Sequence, residues 1–288
     1  MLVSDKFMSN IIDSISTLVR RNNFKLNFSN NRSNRANSLG DALENYTKNL
    51  FADTFDCEET ERLEIWSKIF SYLGNSANPP DFMLKNGDAV EVKKIESPDA
   101  TLALNSSYPK HILKSSSELI SSACRNAENW TEKDILYVVG VVDRNNRLKH
   151  LCMVYGRNYC ASDECYERIR QRIKYGVETI PQVEFSKTRE LDRVNRVDPL
   201  GITYLRVRGM WHIENPWQVF DYVYKRNFQA KFNFMCIIDY EKWSQLENIN
   251  ELVKLQENYH ALKVVDVKIK NPDNPCKLIG AKLIHYEV

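Results

Sequence analysis

The chain has 288 residues, of which 43% are hydrophobic and 27% charged, and its formal net charge at pH 7 is +2. This composition is typical of a soluble globular protein and includes no apolar run long enough to span a bilayer, so we expect a protein without membrane segments. The seven cysteines form no CxxC pair, and residues 1–21 lack the features of a secretion signal, which favours a reduced, cytoplasmic protein.

The N-terminal region is predicted to be helical on both sides of a basic arm. Residues 5–20 carry apolar side chains at helical spacing. Residues 22–37 are rich in Asn, Ser and Arg and contain no acidic residue, so we expect them to form a basic loop or arm. Ser38 is then expected to cap a second helix, whose apolar face is defined by Leu39, Leu43, Tyr46 and Leu50.

The next segments predict a change from helices to strands. Residues 58–74 are expected to form a further amphipathic helix closed by Gly74. The pattern that follows predicts a hairpin around Asn86-Gly87 and a buried strand at 134–143 with a hairpin partner at 148–156. Further expected elements are helices at 112–127, 163–175 and 241–255, strands at 202–213 and 232–239, and a C-terminal hairpin with Asn-Pro at its turn. Together these elements predict an α/β fold with a mixed central sheet flanked by helices.

The hairpin carries residues whose spacing indicates chemistry. Side chains alternate along a strand, so Glu91 and Lys93 share one face while Val92 points to the other. Asp81, on the preceding strand, offers a second carboxylate, and a hard cation such as Mg²⁺ prefers oxygen ligands. The three side chains therefore form a candidate site for metal-dependent phosphodiester hydrolysis.

Hairpin geometry restricts this interpretation. With a two-residue loop at Asn86-Gly87, Asp81 would lie on the face opposite Glu91. A three-residue loop at 86–88, with Gly87 or its neighbour in a left-handed conformation, would pair position 81 with 93 and place all three side chains on one face. The hypothesis requires that odd loop, a bulge or a splayed first strand.

The alternative is a plain surface hairpin. In that interpretation Glu91 and Lys93 form an ion pair of negligible stability and Asp81 only begins a strand. The catalytic triplet by itself is degenerate, since a carboxylate followed by Glu-x-Lys arises by chance in many chains. The preceding amphipathic helix and the apolar strand at 134–143 favour the catalytic interpretation.

Longer motifs carry a resemblance to a known family. Pro80-Asp81 with Glu91-Val92-Lys93 resembles the signature of the PD-(D/E)xK nuclease superfamily. The strings RANSLGDALENYTKNLF, SYLGN...NPPD, GDAVEVKKIES, ALNSSYPK and ENWTEKDILYVVGVVD, within residues 32–143, are similar to the NgoPII family of type II restriction endonucleases. The string ALNSSYPK is much more specific than the triplet.

The resemblance implies a mechanism and a target. It implies Mg²⁺ bound by Asp81 and Glu91, Lys93 assisting the attacking water, and a cytoplasmic bacterial homodimer that cuts both strands of a short palindrome in double-stranded DNA. The family's targets are GC-rich sites such as GGCC. Glu44 lies in the region where many relatives place an auxiliary acid, although its position off the apolar helix face fits a solvated surface residue equally well.

The chain length allows one large core or two small ones, and the predicted elements favour a single endonuclease domain, residues 1–288. Its expected parts are a basic arm at 22–37, a catalytic core at about 38–225, and a C-terminal helix and hairpin at 226–288.

Several polar residues are candidates for DNA contacts. Loop 103–110 offers Asn105, Ser106, Ser107 and Lys110, which can reach base edges or phosphates, although a Ser/Asn turn closed by a proline has the same composition. Arg206 and Arg208 alternate on one predicted face and can each read guanine, or can form surface ion pairs with Glu214 or elsewhere. The basic arm adds three candidates for phosphate contact: Arg32, Arg35 and Asn37.

Two other functions fit the same residues. A structure-specific repair or recombination nuclease of this superfamily would recognise forks or junctions instead of a base sequence. A DNA-binding protein without catalysis would use Asp81, Glu91 and Lys93 only as an ion cluster.

Overall fold

A computed structural model describes residues 8–27, 35–75, 78–104, 106–188 and 190–288, with the side chains of 35–38 left aside. The helices are α1 Ile11–Arg21, α2 Arg35–Ala52, α3 Glu59–Ile69, α4 Ser122–Arg125, α5 Gly156–Tyr159, α6 Asp163–Glu178, α7 Pro216–Val219, α8 Tyr240–Ser244 and α9 Ile249–Asn258. The first seven strands are β1 Phe70–Tyr72, β2 Phe82–Leu84, β3 Ala89–Ile95, β4 Leu102–Ala103, β5 Ile112–Lys114, β6 Glu132–Val142 and β7 Leu148–Tyr155. The remaining strands are β8 Glu184–Phe185, β9 Asp192–Asn195, β10 Leu205–Val207, β11 His212–Ile213, β12 Asn233–Asp239, β13 Leu262–Asn271 and β14 Asn274–Glu287.

A mixed sheet of nine strands organises the described chain. Its order is β1-β2-β3-β6-β7-β12-β14-β13, with β5 added beside β6. The β3–β6 and β7–β12 pairs are parallel and the other neighbours along this path are antiparallel. The predicted mixed α/β architecture is confirmed, and the strands of the C-terminal region belong to the same sheet as the hairpin.

The central strands of the sheet are buried on both faces. Helices α1, α2, α3 and α9 cover one face, where Leu43 and Leu50 of α2 pack with Val90 and Val92 of β3. The other face is covered by the segments from 102 to 130 and from 211 to 224, and Met83 and Ala89 contribute to its core. The predicted apolar face of α2 is thus confirmed.

Helix boundaries depart from the sequence expectations at three places. Asn10 caps α1 through a capping box with Asp13, so this helix begins later than residue 5. Helix α2 already includes Arg35, which places Ser38 inside the helix and makes its predicted capping role wrong. Helix α3 ends at Ile69, where the backbone becomes extended, because Phe70 and Tyr72 belong to β1 and bury their side chains.

Other predicted elements are shorter or divided. Most of the expected helix at 112–127 is replaced by β5 and the single turn α4. The expected strand at 202–213 divides into β10 and β11, which belong to two separate small sheets. The expected helix at 241–255 divides into α8 and α9, whereas the C-terminal hairpin of β13 and β14 is confirmed. Within the described residues, no helix is long and apolar enough to cross a bilayer.

Candidate active site

The hairpin of β2 and β3 has a three-residue loop, but not the expected one. Phe82 pairs with Val90 and Met83 with Ala89, and the Leu84 N–H donates to the Asp88 carbonyl. The loop is therefore residues 85–87, with Asn86 in the left-handed region at φ 52°. The expected pairing of position 81 with 93 is wrong, because this register places position 81 opposite 91.

The odd loop brings the three predicted side chains together. Asp81 lies directly before β2, and its N–H donates to the Val90 carbonyl at 3.0 Å. Its Oδ2 accepts from the Val92 N–H at 2.6 Å and so satisfies a donor that the short strand β2 does not reach. Lys93 Nζ donates to Glu91 Oε1 at 2.5 Å. Two carboxylates and an ammonium thus share one face of the hairpin.

Burial makes this cluster electrostatically strained. Burial and the nearby Glu91 carboxylate raise the pKa of Asp81 to about 8. Burial alone would lower the pKa of Lys93, but the Glu91 and Asp81 carboxylates outweigh it and raise the pKa. The Lys93 ammonium therefore stays charged. Its single positive charge faces the two carboxylates of Asp81 and Glu91 and cannot neutralise both.

The donor set fits a hard divalent cation. Glu91 Oε2 is buried without a hydrogen-bond partner, and such an orphaned oxygen is costly unless it binds something. Among the described residues, no three His, Cys, Asp or Glu side chains form a metal-binding group. Two carboxylates completed by water and substrate oxygens are the pattern of Mg²⁺ and not of an all-protein metal cage.

Gly74 allows the loop before the hairpin to approach the site. Its φ of 84° lies in the left-handed region, and a Cβ there would overlap the Asp81 carbonyl oxygen. Gly74 follows β1 and does not close a helix, so its predicted role as a helix cap is wrong. It lets the backbone pack directly behind Asp81.

A cleft of about 620 Å³ opens over the cluster. Besides Asp81, Glu91 and Lys93, its lining includes six residues from sequence-distant segments: Ser106, Ser107, Tyr108, Lys110, Glu190 and Arg208. The fold therefore brings much of the predicted 103–110 contact loop and one of the two predicted arginines to the candidate catalytic residues.

Lys110 is the buried cation of this loop. It is 3% exposed, and its ammonium lies 3.3 Å from the centroid of the Tyr108 ring. Its backbone is fixed because its N–H donates to the Tyr137 hydroxyl at 2.7 Å. Burial lowers the pKa of Lys110 to about 8, although Asp163 and Glu167 act in the opposite direction. In the described part of the chain, its ammonium has no hydrogen bond or ion pair.

Glu44 lies beside the site without entering the cleft. Its Oε1 accepts from Lys48 Nζ at 2.5 Å, and its charge contributes to the raised pKa of Asp81. The carboxylate is thus held on α2 at the border of the cluster.

Arg206 and Arg208 share one acidic partner. Both donate to Glu190, an acid from the preceding loop, so the alternative of surface ion pairs with Glu214 or elsewhere holds with Glu190 as the partner. Of the remaining candidates, Arg32 and Asn105 lie outside the described residues, as do the side chains of Arg35 and Asn37.

Sequence reasoning missed several cleft residues, among them Tyr108, Tyr137 and Glu190. Tyr137 is in register with Glu91 across the parallel β3–β6 pair, which a strand alignment could have indicated. Glu190 lies in no sequence motif that indicates a functional role, because its loop reaches the cleft only through tertiary packing.

A mixed central sheet flanked by helices, with Asp81, Glu91 and Lys93 lining one cleft, is consistent with the fold of a restriction endonuclease. The chain also matches the family model described as NgoPII restriction endonuclease over residues 9–270. It therefore belongs to the NgoPII restriction endonuclease family. The match extends well beyond residues 32–143, where the motifs indicated the resemblance.

A curated relative supports the assignment. The chain is 53% identical over 279 residues to the type II restriction enzyme NgoPII of Neisseria gonorrhoeae, and the alignment covers 97% of this chain and 100% of the relative. No solved structure was found to match.

Proposed function

We propose that the protein hydrolyses both strands of double-stranded DNA at a short GC-rich palindrome similar to GGCC, using Mg²⁺ held by Asp81 and Glu91. The observation that carries this proposal is the orphaned Glu91 Oε2 beside Asp81 at the base of the cleft. Bound Mg²⁺ would supply Lewis acidity for the scissile phosphate and a more acidic water. We propose that the protein acts in the bacterial cytoplasm, because incoming DNA enters that compartment.

Lys93 has a separate part in the proposed reaction. Its ammonium is tethered to Glu91 and stays protonated, so it can donate hydrogen bonds to the attacking water and to a phosphate oxygen. An ammonium in a partly buried cleft stabilises developing negative charge more strongly than one in water. The backbones of Asp81 and Glu91 belong to one hairpin, which fixes the positions of both carboxylates relative to Lys93.

Ser106, Ser107 and Lys110 would position the DNA backbone. All three line the cleft, and hydroxyl and ammonium groups contact phosphate oxygens without reading the base sequence. A site of this kind acts on one strand at a time, so cleavage of a palindrome favours two copies related by a twofold axis. We therefore propose a homodimer with one Asp81–Glu91–Lys93 site for each strand.

The pH dependence of binding tests the role of Lys110. We expect the affinity for duplex DNA, measured without divalent cations, to fall by roughly tenfold as the pH rises through 8, because the ammonium loses its proton. In Lys110→Arg the guanidinium stays charged, so this step should become smaller, and the remainder belongs to Asp81, which ionises in the same pH range. Lys114→Arg, a change at a more exposed neighbouring lysine, should leave the full step in place. A step of unchanged size in Lys110→Arg would remove Lys110 as its cause.

Plasmid digestion tests the proposed function. We expect discrete fragments with Mg²⁺ and none with EDTA, and sequencing of the fragment ends should give one short palindrome and a fixed cut position. Forked or four-way-junction substrates cut in preference to linear duplex would support a repair nuclease instead. Binding of duplex without any cleavage would support the non-catalytic alternative.

A further inference from the structure

Glu190 and two arginines form a cluster at the rim of the cleft. Arg206 donates to Glu190 through Nε to Oε2 at 2.8 Å and through Nη2 to Oε1 at 2.6 Å. Arg208 donates through Nε to the same Oε1. These bonds lower the pKa of Glu190, which keeps its carboxylate ionised.

The bonding pattern leaves specific donors free. A guanidinium has five N–H groups, and its Nε side makes the contacts to Glu190 in both arginines. The outer edge, where Nη1 and Nη2 each carry an outward N–H, is not used by Glu190. Such an edge matches O6 and N7 of guanine in the major groove. The Glu190 side chain is 14% exposed, against 52% for Arg206 and 57% for Arg208, so the acid lies behind the two outward groups.

The cluster is also attached to the catalytic strand. After β3 the chain continues into β4, and β4 pairs with β11, which follows the arginines. In addition, the Leu104 N–H donates to the Trp211 carbonyl at 2.8 Å. Glu190 and Arg208 line the same cleft as Lys93. The position of the arginines is therefore linked to that of the scissile phosphate.

We propose that Glu190 is a specificity-determining positioning residue, which aligns Arg206 and Arg208 so that each reads one of two adjacent guanines in the major groove. Alternate residues of a strand are about 6.8 Å apart, whereas successive bases on one DNA strand rise about 3.4 Å. Donation by both arginines to Oε1 draws the two groups together toward the smaller spacing. This inference rests on the proposed function, because it names the bases that this nuclease selects.

Discrimination between sites tests the proposal. The values of kcat/KM are measured on two duplexes. One carries the mapped site, and in the other a G·C base pair of the site is replaced by an A·T base pair. We expect Glu190→Gln to lower the ratio of the two values by about tenfold or more, because the arginines lose their alignment. Glu184→Gln, which removes the acid that pairs with Arg196 in the same small sheet, should leave the ratio unchanged.

The outcomes separate the possible roles. Equal losses on both duplexes would overturn the proposal, since a structural or phosphate-binding role lowers all cleavage together. Faster cleavage of both duplexes would also overturn it and would indicate that Glu190 blocks the arginines. Absence of any Mg²⁺-dependent cleavage by the unaltered protein would instead reject the proposed function.

Base analogues test the same proposal without catalysis. Replacing the site guanines by 7-deazaguanine removes N7, and we expect the unaltered protein to bind this duplex about tenfold more weakly in the absence of divalent cations. The double variant Arg206→Ala and Arg208→Ala should bind both duplexes equally weakly. Inosine, which lacks only the minor-groove amino group, should leave the affinity unchanged. Equal binding of the 7-deazaguanine and guanine duplexes by the unaltered protein would contradict major-groove readout.

Discussion

Lys93→Ala is expected to lower the cleavage rate by roughly 10²–10⁴-fold, the range for loss of a positioned acid, base or hydrogen-bond donor at a reacting centre. Lys93 is the ammonium bonded to the Glu91 carboxylate, at 2.5 Å. Without it, the proposed site keeps both metal ligands but loses the cation that would orient water. The measurement is the single-turnover rate on a short duplex with saturating Mg²⁺.

Lys94→Ala is the matched control for this prediction. Lys94 is the next residue of β3, on the opposite face of the sheet, where it pairs with the exposed Glu96. We expect it to retain cleavage, and thermal melts should show that both variants fold. Binding of duplex by Lys93→Ala without divalent cations should persist. Cleavage by Lys93→Ala at the unaltered rate would remove Lys93 from the mechanism.

Lys242→Met is expected to have the largest effect on stability. Its ammonium lies between two carboxylates, 2.6 Å from Asp88 Oδ1 and 2.9 Å from Asp134 Oδ2, and Asp88 also accepts from the Tyr155 hydroxyl. Methionine would leave the buried Asp88 carboxylate without a counter-charge, whereas Asp134 keeps Arg157 at 3.2 Å, so the free energy of unfolding should fall by about 3–5 kcal/mol. Urea unfolding followed by circular dichroism measures this change.

Two further variants show whether charge is the cause. Lys282→Met removes a lysine that pairs with the more exposed Asp266, and it should cost less than about 1 kcal/mol. Adding Asp88→Asn to Lys242→Met should recover part of the lost stability, because the uncompensated charge is removed. If the combined variant is no more stable than Lys242→Met, lost packing and not charge explains the effect.

This ionic cluster connects regions that are far apart in the sequence. Asp88 closes the loop of the hairpin that carries the candidate site, and Lys242 belongs to α8 in the C-terminal region. No sequence pattern indicated the pairing, because the two residues are 154 positions apart. A helix that sequence reasoning treated as a later elaboration thus supports the start of β3.

Local patterns predicted the elements that depend on burial along a regular period. The apolar face of α2, the strand β6 with its partner β7, and the C-terminal hairpin were all predictable from spacing alone. Elements whose structure depends on contacts with distant segments could not be predicted from spacing. Residues 70–72 continue a helical pattern but form β1, because pairing with β2 satisfies their backbone.

The sequence by itself determined the family and pointed to Asp81, Glu91 and Lys93 as candidate site residues, since family motifs and strand alternation are local properties of the chain. It also required an odd hairpin loop, a bulge or a splayed first strand, because a regular two-residue loop would place positions 81 and 91 on opposite faces. Tertiary structure alone decided that the loop is 85–87, that Lys110 and Arg208 reach the same cleft, and that Glu190 holds two arginines. These contacts depend on packing between distant segments, which no short-range periodicity encodes.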